Sequence, residues 1–358
     1  MSASRQSSAT PYRRLFFLAI LLSLLGLIAI YNSSVVEAFT DFQDKFHFVK
    51  NQLVWLVVGI GSFLLLSRFH PRIFSQVSLP IFIFSLLLML LVFIPGLGPE
   101  LQGARRWLVL GPIHFQPSEF FKLALVLYLS TWLSQPRPLS HFLALVAFSL
   151  LLLLLQPDLG TSVLVASTSF LLYYLSGADL KKLLPVVVAM AGLGLILILS
   201  SSYRLRRLTT FLDPTQDPLG ASYHVNQILL GLGSGGLTGI GLGKSRQKYA
   251  YLPESTTDSI FVVIAEELGF IGASILVILL LFLLLTGFKI AHQASSQTSK
   301  LLASGVILLL LTQIFVNLGS MVALLPLTGM PLPLISYGGT SLISTFISLG
   351  ILASIAQH

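Results

Sequence analysis

Apolar runs long enough to cross a lipid bilayer recur from one end of this chain to the other, separated only by short polar or Pro/Gly-rich stretches. A crossing takes roughly 20 such residues, and in hydrocarbon the backbone amides must be satisfied within the segment, as a helix does. The fold class is therefore all-α, a polytopic membrane protein. Composition agrees: of 358 residues, 55% are hydrophobic and 9% charged, against about 25% charged in a soluble domain. With a mean hydropathy of +0.90, an ordinary water-soluble protein is excluded.

The runs predict helices near Leu15–Val36, Leu53–Ser67, Val77–Ile94, Pro117–Leu133, Phe142–Leu155, Thr161–Ser176, Leu183–Ser200, Ser259–Phe288, Leu301–Leu325 and Tyr337–Ala356, about ten crossings. An even number puts both termini on one side. In the loops of one side stand Arg5, Arg13, Arg14, Arg68, Arg72, Arg137, Lys181, Lys182, Lys289 and Lys300, against Lys45, Lys50, Arg105 and Arg106 in the short loops of the other. The positive-inside rule then makes both termini cytoplasmic, and Asp179 is the one acid of the thirteen in a predicted cytoplasmic loop. Residues 1–14 are a polar tail expected to be disordered, 15–358 the transmembrane domain, and 201–257 a large extracytoplasmic loop between the seventh and eighth helices. The first run follows basic residues, but Ile28-Ala-Ile-Tyr-Asn-Ser33 offers no small-x-small cleavage site, so it reads as a retained helix.

The chain has no cysteine, which removes disulfides, thiolate metal sites and thiol nucleophiles. Its net charge of +8 reflects orientation and contact with anionic membrane lipids rather than nucleic acid. The seven histidines are scattered without metal-ligand spacing.

Polar residues in or beside the spans carry the functional information, because each costs roughly 2.5–3.5 kcal/mol at a helix centre. Between the third and fourth spans, Arg105, Arg106 and Lys122 are suited to a phosphate or diphosphate headgroup. Glu119, three residues before Lys122, equally fits an internal ion pair with it, and Trp107 equally fits an interfacial anchor. Asp158, in Gln156-Pro-Asp-Leu-Gly160, stands at the outer end of the next helix pair, where capping is the plain role.

In the long loop, Gly231-Leu-Gly-Ser-Gly-Gly236 matches a dinucleotide-binding pattern by letter without a preceding strand. Gly239-Ile-Gly-Leu-Gly-Lys-Ser245 ends like a P-loop but has Thr238 at the position of the first required glycine. Both glycine runs read as close-packed or flexible backbone at the membrane surface. Asp258 enters the eighth helix, either capping it or standing open to a substrate from outside. Glu266 and Glu267, about two turns deeper, call for hydrogen-bonded partners in the bundle. Pro331-Leu-Pro-Leu-Ile-Ser-Tyr-Gly-Gly-Thr-Ser341, with Ser336 and Tyr337, reads as irregular backbone walling a cavity.

Taken together and in order, Gly103-Ala-Arg-Arg-Trp107, Phe115-Gln-Pro-Ser-Glu119, Gln156-Pro-Asp-Leu-Gly160, Thr257-Asp-Ser-Ile-Phe261, Glu266-Glu-Leu-Gly269 and Ser336-Tyr-Gly-Gly-Thr340 resemble the SEDS family of bacterial cell-wall polymerases, the group containing FtsW, RodA and SpoVE. Tyr251-Leu-Pro-Glu254 and Pro333-Leu-Ile-Ser-Tyr337 are more similar to the FtsW branch. Where many relatives have His-Thr-Asp, this chain has Ser255-Thr-Thr-Asp258, without the histidine.

The resemblance implies a peptidoglycan glycosyltransferase that polymerises lipid II, an undecaprenyl diphosphate-linked disaccharide-pentapeptide, at the outer face of the bacterial cytoplasmic membrane. On this reading it acts in division at the septum beside a class B penicillin-binding protein. Asp258 would be general base. Arg105, Arg106 and Lys122, or a divalent cation such as Mg or Mn, would steady the leaving diphosphate, and Glu119 and Asp158 would orient cations or acceptor. The alternatives are a lipid II flippase or a RodA-like elongation polymerase; intramembrane charges lying near the outer ends disfavour transport.

Overall fold

The computed structural model describes residues 2–100, 103–111, 113–200, 202–213, 222–247 and 252–358. Expectations resting on Tyr251 and on 214–221 of the long loop lie outside the described residues. Each of the ten predicted spans is a helix, and thirteen helices are present among the described residues. They are α1 (Ser2–Phe42), α2 (His47–Ser67), α3 (Pro71–Gln76), α4 (Ser78–Leu91), α5 (Pro117–Trp132), α6 (Leu139–Leu155), α7 (Leu159–Leu175), α8 (Leu180–Leu199), α9 (Ser202–Leu212), α10 (Tyr223–Gly235), α11 (Ile260–Gln293), α12 (Gln297–Met321) and α13 (Gly339–Gln357). By length and composition α1 from Pro11, α2, α11, α12 and α13 can cross a membrane, and α4, α6 and α7 are shorter apolar helices.

Three differences from the sequence reading have physical causes. Residues 2–14 of the tail expected to be disordered belong to α1, because extending a helix already nucleated by an apolar segment adds one hydrogen bond per residue fixed, Pro11 with its missing N–H excepted. The segment before α5, read as a loop, contains a hairpin of β1 (Leu108–Leu110) and β2 (Ile113–Phe115), in antiparallel register with Leu108 opposite Phe115. Its turn holds Gly111 at φ +62°, a backbone that suits two-residue hairpin loops. Finally, α3, α9 and α10 are too short or too polar to register as spans.

The core gathers around α12, which packs against α5, α7, α11 and α13, while α13 lies along α2 so closely that a Cβ on Gly350 would stand 3.0 Å from Phe63 Cα. Outward-facing Val54, Val57 and Leu65 of α2 and Leu184, Val188 and Ile196 of α8 remain exposed, the apolar surface a bilayer covers. The rings of Tyr12 and Phe63 meet at 5.9 Å, and Ser354 Oγ donates to Phe69 O. The first apolar turns of α1 and the last turns of α2 and α13 therefore share one end of the bundle. The starts of α5, α7, α11 and α13 share the other: Ser344 Oγ donates to Glu119 O, Gly160 faces Thr328 O, and Tyr337 N donates to Thr256 O. The irregular chain between the helices is thereby concentrated where the sequence motifs fall.

Candidate active site at the motif end of the bundle

Asp258 lies at the mouth of α11, one residue before the N-cap Ser259. Its carboxylate accepts from Thr257 Oγ1 at 3.3 Å and from no backbone N–H of the first turn, so of the two roles open from sequence, capping is not the one observed. Only 7% of Asp258 is exposed. Burial, reinforced by the negative charge of Glu254, pushes its carboxyl up from the ordinary aspartate range to about 7, with its own backbone N–H, Thr257 and Arg207 pulling partly the other way.

The backbone around Asp258 is held from three directions. Glu254, at φ +52°, turns the chain so that its carbonyl accepts from both Thr257 N and Ser259 N. From α12, Asn317 Nδ2 donates to Asp258 O at 2.9 Å and to Met330 O at 2.7 Å. From the segment feeding α13, Ser336 Oγ donates to Thr257 O. Gln52 of α2 braces that segment in turn, donating to Ser336 O and accepting from Gly338 N. Tyr337 packs edge-on against Phe48 at 5.2 Å. Ser336 and Tyr337, expected as a cavity wall, are thus directly bonded to the stretch bearing Asp258.

The remaining motif residues occupy neighbouring positions. Asp158 caps α7, accepting from Thr161 N at 3.1 Å and Thr161 Oγ1 at 2.8 Å. Arg106 crosses to the same turn, its guanidinium donating to Gln156 O and Pro157 O. Arg105 faces Glu100 at 3.8 Å on an exposed edge, and Trp107 is half-buried. Lys122 does not join the two arginines at the surface: it is 3% exposed, donating to Glu119 at 2.7 Å and to Gln313 at 3.1 Å. Gln313 donates onward to Pro331 O. Of the two roles open to Glu119 and Lys122, the internal ion pair is the one observed, and it ties α5 and α12 to the segment behind Asp258.

Sequence reasoning missed several residues of this site. Gln313 and Asn317, one turn apart within an apolar run, carry a sequence signal in the cost of a polar side chain at that depth. His224 of α10, supplied from far along the chain, has Nε2 2.9 Å from Ser259 Oγ. Burial lowers it to about 4, so the ring is neutral at physiological pH. Only a three-dimensional fold could bring it there. Among the described residues no three His, Asp or Glu side chains converge on a point that could hold a metal ion.

The family model for the cell cycle proteins FtsW, RodA and SpoVE matches residues 12–358. The chain belongs to that family. Its relatives include stage V sporulation protein E of Bacillus subtilis, 36% identical over 98% of both chains. Another is a probable peptidoglycan glycosyltransferase FtsW of Geobacter metallireducens, 35% identical over 96% of this chain and 94% of the relative. Among solved structures, a peptidoglycan synthase complex that coordinates polymerization and crosslinking matches with a TM-score of 0.79 and 33% identity over 96% of each chain. The rod shape determining protein RodA of Thermus thermophilus matches with 0.70 and 32% identity, over 96% of this chain and 95% of that one. The family membership and the membrane-spanning helices make this an integral membrane protein.

Proposed function

We propose that this chain is a peptidoglycan glycosyltransferase that polymerises lipid II at the outer face of the bacterial cytoplasmic membrane, with both termini in the cytoplasm. The observation that carries the reading is a single buried carboxylate, Asp258, held by its backbone at the end of a membrane bundle and raised to about 7. A general base is most effective when its pKa lies near the working pH, because it is then both substantially ionised and basic. The acceptor sugar hydroxyl gives its proton to Asp258 as its oxygen attacks the donor's anomeric carbon. The C–O bond to the diphosphate breaks and the diphosphate leaves with the electron pair. One base and one direct displacement invert the anomeric configuration.

Arg105 and the unused donors of Arg106 are the cations we assign to the developing diphosphate charge. Lys122 acts from behind, by fixing the 331–338 segment. A divalent cation such as Mg or Mn would add to the two arginines, since such an ion is held by substrate phosphates and one or two carboxylates rather than by a closed protein cage. Division is the role we propose, on the likeness to relatives named FtsW, at the septum. A class B penicillin-binding protein is the proposed partner, on the likeness to a synthase complex.

Incubating the purified protein with lipid II, with and without such a partner, tests the reading. Glycan strands are expected; translocation of intact lipid II across vesicles without strand formation would overturn it. The pH dependence gives a second, sharper expectation. Below pH 7 the kcat/KM for strand formation should fall about tenfold per unit as Asp258 gains its proton, and above 7 it should level off. A profile flat between pH 6 and 8 would show that the reacting group is not this carboxyl.

A further inference from the structure

Away from Asp258, the glycine-rich part of the long loop is built into a break in α11. At Gly269 the helix turns to φ +68° and ψ −170°, and a Cβ there would collide with Gly239 N. The loop takes up the backbone groups around the break: Ile240 N and Gly241 N donate to Glu266 O and Glu267 O, and Phe270 N and Ile271 N donate to Gly236 O and Leu237 O. The two adjacent carboxylates fasten both flanks of the loop. Glu266 accepts from Ser234 Oγ and Ser245 Oγ, and Glu267 accepts from Ser245 N and from Asn32 of α1.

This stitching leaves a cavity of about 440 Å³ lined by Ser234, Ile240, Lys244, Arg246 and Glu266. Lys244 and Arg246 are both exposed, and neither side chain is bonded to a described residue. The lining holds two cations against one acid, whose oxygens are turned to Ser234 and Ser245, so the cavity carries a net positive charge. Beside it the apolar side chains Leu237, Leu242, Phe270 and Ile271 are exposed, Leu237 at 71%.

From Phe270 to Gln293 the helix extends about 36 Å, enough to cross a bilayer, so the break at Gly269 falls at the level where hydrocarbon gives way to headgroups. Two cations not bonded to any described residue, beside a rim of exposed apolar side chains at that depth, match the chemistry of a lipid with an anionic head and an acyl tail. We propose that this cavity binds the phosphate of an anionic phospholipid, with its chains against Leu237, Leu242 and Phe270. The site is separate from the catalytic one, since Glu266 stands about 12 Å along the helix from Asp258.

The test measures binding of dioctanoyl-phosphatidylglycerol, dioctanoyl-phosphatidylcholine and farnesyl diphosphate to the detergent-purified full chain. Wild type and Asp258→Asn should both bind the phosphatidylglycerol, at least tenfold more tightly than the phosphatidylcholine, and more weakly as salt is raised. Lys244→Gln with Arg246→Gln should lose at least tenfold in affinity while melting like wild type. Should the double variant melt early, Leu237→Ser with Leu242→Ser is expected to give the same loss. Equal affinity for the two phospholipids, or undiminished binding in both variants, would overturn the proposal. So would preferential capture of farnesyl diphosphate, which would assign the cavity to the prenyl substrate instead.

Discussion

Asp258→Asn is expected to insert and accumulate as the parent chain does and to form glycan strands from lipid II at a rate lower by at least about 10²–10⁴-fold, the span a positioned general base contributes. Asparagine keeps the shape of the side chain and can still accept from Thr257, and Asn317 holds the backbone carbonyl, which the substitution leaves in place. What is lost is the capacity to take a proton. The same variant should carry a second signature in thermal melts. Because the folded-state pKa is raised to about 7, the folded protein holds a proton that the unfolded chain releases between about pH 4 and 7, so stability falls as pH rises through that window. Asp258→Asn removes this contribution, and its melting temperature should decline less between pH 5 and 8. Strand formation near the parent rate, with the flattened melting profile intact, would leave Asp258 a buried acid without a role in the reaction.

How much of this was legible in the sequence depends on the range of the interaction. The ten apolar runs became helices because a run of Leu, Ile, Val and Phe in lipid has one local solution. Asp158 as a cap, and Glu119 three residues before Lys122, were readable for the same reason: the partners are neighbours on one turn. Gln52 is bonded to Ser336 and Gly338, and Asn317 to Asp258 and Met330, pairs joined only by the packing of α2 and α12. For these the sequence offered a cost, a polar side chain inside an apolar run, without an address. Arg106 is the instructive intermediate. Its charge pointed to a phosphate, yet much of its guanidinium is spent on the carbonyls of Gln156 and Pro157, which draws two separate motifs together. His224 shows the limit in the other direction, since the Ser255-Thr-Thr-Asp258 stretch lacks a histidine and the fold brings one to the adjacent serine from α10.

Loss of one partner from the Glu119–Lys122 pair should be the most destabilising single change among the motif residues. Both side chains are almost fully buried, and the ammonium sits 2.7 Å from the carboxylate. Lys122→Met therefore strands a negative charge in the bundle, at a cost of about 3–5 kcal/mol, and Glu119→Gln strands a positive one. Removing both charges together, as Glu119→Gln with Lys122→Met, leaves no uncompensated ion and should restore most of the melting temperature. The consequence for catalysis comes from connectivity: Lys122 also donates to Gln313, which holds Pro331 O, while Asn317 one turn on holds Met330 O and Asp258 O. A single variant should therefore lose strand formation and stability in parallel, because the segment behind Asp258 loosens. The double variant separates position from charge. If it melts like the parent and regains activity, the pair serves the fold; if it melts like the parent and stays inactive, Lys122 itself meets the diphosphate.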